Sequence, residues 1–240
     1  MKLEVKMMKY FEDIADRLGV LKIKYWQKEM KWKRRKQMAK EIVDIRKEEI
    51  INACEKLYEN NNFKDITIKR IGEETTFSRT SIYNYFQTKE EIFLALFKRE
   101  YERWIEDLNQ MYEENSTMSK EIFADKLAQS VAKRKNLLKL LSMNMYDMEE
   151  NSRMEELIKF KKAYGNAIKM VRKCVDKFFE EMSNNEKEEF VFLFFPLMYG
   201  IYPYAEVTEK QQKAMEKADV PFKYLSIYEI TYKGILKLLS

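Results

Sequence analysis

TIKRIGEETTFSRTSIYNYFQTK, from Thr67 to Lys89, decides how the chain is read, because two short helical patterns meet in it across a tight break. Ile82, Tyr85 and Phe86 stand at i, i+3 and i+4, so one side of the second helix is apolar and turns inward. Thr80, Tyr83 and Asn84 then point the other way, and so short a helix has no packing reason to gather three hydrogen-bonding side chains on an open face. Ser78 is a favourable cap for that helix, which leaves its free N–H groups beside Arg79, where a phosphate could sit. In the first pattern Ile68 and Ile71 face the core, Lys69 and Arg70 reach solvent or a phosphate, and Thr67 caps the start. A recognition helix entering the major groove has this arrangement. On periodicity alone an ordinary helical hairpin fits as well.

Together with the helix expected before it, Ile45 to Glu59, and the start of the helix after it, this stretch resembles the DNA-binding domain of the tetracycline-repressor (TetR) family of transcriptional regulators. The likeness is carried by Thr67 with Ile71, Phe77-Ser78 at the turn, Ser81-Ile82-Tyr83-Asn84-Tyr85-Phe86 in the recognition helix, and Thr88-Lys89-Glu90-Glu91 opening the next helix. It implies that Ser81 and Tyr83 contact bases and phosphates, that Thr67 and Lys69 grip backbone, and that Lys89 holds a phosphate. Arg70, Ser78, Arg79, Thr80 and Asn84 complete the candidate DNA-contact set. Two positions depart from the family pattern. Thr76 stands where the turn usually has Gly, and a β-branched residue disfavours a left-handed backbone, so an altered turn is expected. Thr80 replaces a residue that is often Gly, which changes how closely the helix approaches the groove.

The composition fits a helical protein and argues against an enzyme. Five Gly and three Pro in 240 residues, with abundant Lys, Glu, Leu and Met, predict an almost wholly helical chain. There is no histidine, which removes the commonest general base and metal ligand. No Cys or carboxylate cluster has ligand spacing and no Gly-rich phosphate loop is present, so no cofactor, metal or catalytic residue is assigned. Cys54 shares a helical face with Ile50, Ala53 and Leu57, as a buried structural thiol would, and with Cys174 it suits a reducing compartment. The longest apolar run, Phe190 to Tyr199, is too short to span a bilayer and the N-terminus too charged for a signal peptide; a cytoplasmic protein without membrane contact is expected.

Charge is uneven. Residues 1–40 hold thirteen Lys and Arg against five Asp and Glu, a net of +8, so the other 200 residues sum to −3 within the chain's +5. The resemblance does not cover this extension. Val5, Met8, Phe11, Ile14, Ala15 and Leu18 form a helical stripe that Gly19 could end. Further on, Lys31, Lys33, Arg34, Arg35 and Lys36 surround Trp32. Three readings stay open: a solvated basic arm adding non-specific DNA affinity, a second helix-turn-helix around Asp13 to Val20 with Tyr25-Trp26, or an upstream start with Met30 or Met38 as the initiator.

The expected architecture is all-α, with the basic extension in residues 1–40, a three-helix helix-turn-helix head in 41–89, and a larger effector-binding and dimerisation body in 90–240. Thr88 with Glu91 predicts a capping box for a long helix to about Glu114. Body helices are expected near 119–134, 137–146, 152–182, 186–202, 208–217 and 222–239, with Asn184-Asn185, Thr208 and Pro221 at starts. Aromatics on nearly every side of 190–202 predict a helix enclosed all round. The resemblance implies a homodimer through the C-terminal helices; a monomer core is the rival reading. Met143, Tyr146, Phe160, Tyr164, Met198, Tyr199 and Tyr202, with Met145 and Met148, form an apolar set that could line an effector cavity or be plain core. The whole reads as a repressor that binds a palindromic operator in double-stranded DNA and is released by a small molecule. The alternative is a helical interaction protein that keeps the fold without specific DNA binding.

Overall fold

The computed structural model describes residues 2–143 and 145–240; the side chains of residues 2–6, 8, 11, 12, 15, 20–25 and 27 lie outside the description. The described residues are helices and their connections, with no strand among them. They divide into two compact units, residues 1–49 and 50–240.

Helix α1 is Lys2–Asn60, and it passes through Gly19, which the sequence offers as a possible end. A single glycine weakens a helix by only about 0.5–1 kcal/mol relative to alanine, and it ends one mainly by adopting positive φ. No glycine here has positive φ. Residues 13–26 are likewise helical throughout, which removes the turn that a second helix-turn-helix needs. Of the stripe expected there, Val5, Met8, Phe11 and Ala15 lie outside the described side chains, as does Tyr25, while Leu18 is exposed. Residues 40 and 41, where the sequence reading parts extension from head, both fall inside α1.

In the second unit the end of α1 buries Ile50, Ala53, Cys54 and Tyr58. A 3-10 turn, Phe63–Asp65, leads to α2 (Ile68–Glu73), α3 (Arg79–Ile82) and the long α4 (Lys89–Glu114). The body continues with α5 (Lys120–Lys133), α6 (Lys135–Leu141), α7 (Met145–Glu150), α8 (Met154–Phe178), α9 (Asn184–Ala205), α10 (Glu209–Lys217) and α11 (Ile227–Leu238). Polar caps set the starts: the hydroxyls of Ser119, Ser183, Thr208 and Ser226 each accept from a backbone N–H three residues on, and Ser183 and Ser226 form full capping boxes with Glu186 and Glu229. The last helix therefore begins after Ser226, five residues beyond the expected Pro221.

Helix α4 lies along α8, and α11 packs on α5 and α9. Phe97 stacks on Tyr101 at 5.2 Å and tilts against Phe160 at 4.9 Å. The indole N–H of Trp104, fully buried, donates to Ser130 Oγ at 3.0 Å. Gly234 lets α11 approach α9 so closely that a Cβ there would stand 2.6 Å from Leu197 Cδ2.

Helix α9 departs from the expectation of complete enclosure. Phe190, Phe194, Phe195, Met198 and Ile201 are buried, but Phe192 is 77% exposed and Leu193 50%. One side of the hydrophobic run, at Phe192 and Leu193, is left open by this chain.

Candidate nucleic-acid interface

Helix α2 begins where Thr67 Oγ1 accepts from the Arg70 N–H at 3.2 Å. Ile71 is fully buried beneath it, and Gly72 brings α3 close: a Cβ at Gly72 would lie 3.3 Å from the Arg79 backbone and 3.4 Å from Ile82 Cδ1. A glycine inside so short a helix was the signal for this approach, since it weakens the helix unless packing needs the space. The turn uses no left-handed residue; among the described residues only Asp219 has a non-glycine positive φ. Thr75 closes it instead, its hydroxyl 2.9 Å from Gly72 O and 3.1 Å from Phe77 O. Thr76 thus stands in the family's glycine position without strain.

Helix α3 is shorter than expected and continues as turns, with Tyr85 N–H and Phe86 N–H both donating to Ile82 O. Ser78 holds the cap position, but its hydroxyl pairs with Ser81 Oγ at 3.1 Å rather than with a backbone N–H. Ile82 and Phe86 are buried and Tyr85 is half-buried. Ser78, Arg79, Thr80, Tyr83 and Asn84 are exposed, with Tyr83 at 45%, and Ser81 is half-buried. Arg79 Nη2 lies 3.4 Å from Tyr83 Oη, so a cation and a phenol share the open side.

The cations outside α3 separate into two groups. Lys69 is open, its side chain 71% exposed and 3.9 Å from Glu73, itself 60% exposed. Arg70 is turned back, donating to Asp65 O at 2.6 Å and to Asn61 Oδ1 at 3.2 Å. Lys89 is also engaged, donating to Phe63 O at 2.9 Å with its ammonium 3.8 Å above the Phe63 ring, and burial holds its pKa below the usual lysine value. Thus Lys89 fastens the 3-10 turn, and the open face is Lys69, Thr67, Ser78, Arg79, Thr80, Tyr83 and Asn84.

Residues 50–96 match the family model described as bacterial regulatory proteins, tetR family, and residues 98–225 match the tetracyclin repressor-like C-terminal domain. The chain belongs to the TetR family. A curated relative, the uncharacterized HTH-type transcriptional regulator YfiR of Bacillus subtilis (strain 168), is 30% identical over 79 residues, 33% of this chain and 38% of YfiR, so the match spans well under half of that relative. Among solved structures, the fatty acid degradation regulator FadR of Bacillus halodurans aligns over 81% of this chain and 94% of its own, at 14% identity and TM-score 0.52. FadR of Bacillus subtilis in complex with stearoyl-CoA aligns over 80% and 97%, at 17% identity and TM-score 0.53. At such identities the likeness is one of fold.

The TetR-type head is tied to its body at both ends of the segment 139–153. Lys139 donates to Tyr58 O and to Asn61 O at the end of α1, its ammonium 4.2 Å over the Tyr58 ring. Tyr58 Oη approaches Met143 Sδ at 3.0 Å. At the far end Thr88 Oγ1 donates to Asn151 O at 2.9 Å, and Arg153 grips Glu91 through Nε at 2.6 Å and Nη2 at 2.8 Å. Glu91 is fully buried and also accepts from the Gln87 N–H at 2.7 Å. Its carboxylate therefore does not return to the Thr88 N–H: Thr88 caps α4, but the expected reciprocal box is replaced by the arginine clamp. Burial pushes the Glu91 carboxyl up, and the hydrogen bonds from Arg153 and from the Gln87 and Arg153 amides outweigh it, leaving the group below its ordinary value. No sequence signal joins Glu91 to a partner 62 residues away.

The expected effector-lining residues do not form one wall. Phe160 and Met198 are core. Met143, Tyr146 and Tyr199, with Met145 and Glu149, line a cavity of about 400 Å³ under α7, while Tyr164 lines a separate groove of about 420 Å³ between α8 and α9. Tyr202 is half-buried at the core margin. Tyr101 lines neither of these cavities; it is fully buried, its ring 5.7 Å from Tyr164, and among the described residues its hydroxyl has no hydrogen-bond partner.

Proposed function

We propose that this chain is a DNA-binding transcriptional regulator of the repressor kind, reading a palindromic operator as a homodimer and released by a small molecule. The observation that carries the reading is the exposed set Arg79, Thr80, Tyr83 and Asn84 on α3 and the turns that continue it, where Ile82 and Phe86 are buried, in a chain of the TetR family. Ser78 and Ser81 supply further hydrogen bonds, and Thr67 and Lys69 stand at the start of α2 for backbone contact. Each good base contact contributes only about 1–3 kcal/mol of discrimination, so two heads related by symmetry serve specificity better than one. The exposed α9 stripe of Phe192, Leu193 and Pro196 supports pairing of two chains. Binding rather than turnover suits a histidine-free sequence, and the cytoplasm, where bacterial DNA lies, suits a chain with no single described helix long and apolar enough to cross a membrane.

The effector reading draws on the cavity of about 400 Å³ under α7, where Met143, Met145, Tyr146 and Tyr199 supply a mostly apolar lining. The FadR structure with stearoyl-CoA makes acyl-CoA esters the first class to try. The rival reading, a helical interaction protein, draws on the −3 net charge of residues 41–240.

Selection of bound duplexes from a random DNA library tests the proposal. Enrichment of one palindrome by the wild type, and its loss in a folded Tyr83→Ala variant, is the expected result. Retained operator affinity in that variant would refute the reading face, and no enrichment by the wild type would favour the interaction protein.

A further inference from the structure

We infer that the segment Lys28–Lys40 of α1 is a second DNA-binding element, one that holds phosphates without reading sequence. Within those thirteen residues stand seven cations, Lys28, Lys31, Lys33, Arg34, Arg35, Lys36 and Lys40, against the single acid Glu29, which Lys33 pairs at 2.8 Å. All seven are exposed. At about 1.5 Å rise per residue they carry roughly one positive charge every 3 Å, against one negative charge per about 1.7 Å of duplex.

Their placement matters more than their number. At 100° per residue, as an α-helix requires, Arg35 and Lys28 fall on one side, Arg34 and Lys31 beside it, and Lys33, Lys36 and Lys40 opposite. The apolar side chains are dispersed too: Trp26, Met30, Trp32, Met38 and Ile42 are each 45% exposed or more and mark out no common face. A helix that binds a bilayer surface separates an apolar side from a cationic one. A helix cationic all round has the pattern for a polyanion with charge on more than one flank, and its diameter of about 10–12 Å matches a major groove about 12 Å wide with phosphates on both rims. The unbroken helix through residue 60 also dispenses with a second reading motif, because there is no turn to build one. What remains is sequence-independent affinity.

This element is separable from the head, and the test keeps them apart. The full chain is compared with a variant carrying Lys31→Gln, Lys33→Gln, Arg34→Gln, Arg35→Gln and Lys36→Gln, in which glutamine preserves helix propensity and circular dichroism checks the helix. Affinity for the selected operator and for a scrambled duplex of equal length is measured across a salt series. If three of the five cations reach phosphates, the slope of log affinity against log salt falls in magnitude by about 2.7 in the variant, and both duplexes weaken by the same factor. Unchanged slopes overturn the inference, and so does a variant that loses the operator preference itself, since that would make the segment a sequence reader. Unchanged slopes with loss of binding to phosphatidylserine vesicles would assign the helix to a membrane instead. Should the wild type show no preference for any duplex while its affinity for bulk DNA still falls in the variant, the inference stands and the proposed operator reading fails.

Discussion

Glu91 shows how one side chain joins the reading head to the body. Its carboxylate is fully buried at the start of α4 and is held by Arg153 at the start of α8, so neither helix can shift without breaking an ion pair. Removing one partner of a fully buried pair costs about 3–5 kcal/mol; because the Arg153 side chain stays 36% exposed, Arg153→Ala should cost about 2–3 kcal/mol, measured by urea denaturation. A pH dependence follows. The folded-state pKa of Glu91 is depressed, so the folded state favours the ionised form, and its stabilisation is fully present above the unfolded value of about 4.3 and is lost as pH falls through the lower folded value. Acid titration of Arg153→Ala should therefore show a shallower loss of stability below about pH 4 than the wild type. The two thiols test burial more simply. Cys54 and Cys174 are buried among apolar side chains, with burial pushing Cys174 up to about 12 and Cys54 higher still. Neither should react with a maleimide in the native protein at neutral pH, and both should after denaturation, as mass spectrometry would show.

At the scale of elements, the segment from α6 through α7 matters because it is both the wall of a cavity and the clamp of the head. Lys139 and Met143 hold the end of α1, Asn151 and Arg153 hold the start of α4, and Met143 and Met145 line the cavity between those two ends. A ligand that displaced Met143 would remove the Met143 Sδ contact of Tyr58 Oη near the end of α1, the same end from which Lys56 pairs with Glu74 after α2. Lys139→Ala isolates the α1 clamp: it removes two charge-assisted bonds to carbonyls at the end of a helix, at a cost of about 2 kcal/mol. Hydrogen exchange should quicken at the amides of residues 57–66 while α8 and α9 keep their protection; uniform acceleration would mean the lysine is only a global stabiliser.

The head was legible in the sequence because its determinants are local. Ile68, Ile71, Ile82 and Phe86 lie within one periodic stretch, and Thr67 and Thr88 cap by contacts three residues away. Where local chemistry had two outlets, the sequence misled. Glu91 can close a capping box or meet Arg153, and only the fold, which brings α8 alongside, decides between them. Lys89 likewise looks free for a phosphate until the Phe63 ring and carbonyl are placed beneath it. Gly19 failed as a stop because glycine permits a left-handed cap without compelling one. The effector set scattered for a related reason: Met and aromatic side chains serve core and cavity equally, and Phe160 and Tyr146, which share one composition argument, are 2% and 85% exposed.

For the whole molecule, the question is what covers α9. Phe192 and Leu193 are exposed beside the groove of about 420 Å³ that α8 and α9 form with Tyr164, Ile168, Val191 and Phe195. Two chains meeting there about a twofold axis would bury the same side chain twice, so any change at Phe192 counts twice in the dimer. Full burial of a phenylalanine contributes about 1.5–3 kcal/mol, which makes the pair of Phe192 rings worth about 4 kcal/mol before any charge is introduced. If the proposed homodimer pairs through this surface, Phe192→Asp should weaken dimerisation by at least about a thousandfold, seen by light scattering as a shift from dimer in the wild type to folded monomer in the variant at the same concentration. The monomer keeps α3 intact but reads only one half-site, so operator affinity should collapse while circular dichroism and the burial of Trp104 are unchanged. A variant that stays dimeric would move the interface to another surface. A wild type that is monomeric yet selects a palindrome would mean that pairing is made on the DNA, and cooperative binding on a two-site duplex compared with a half-site would reveal it.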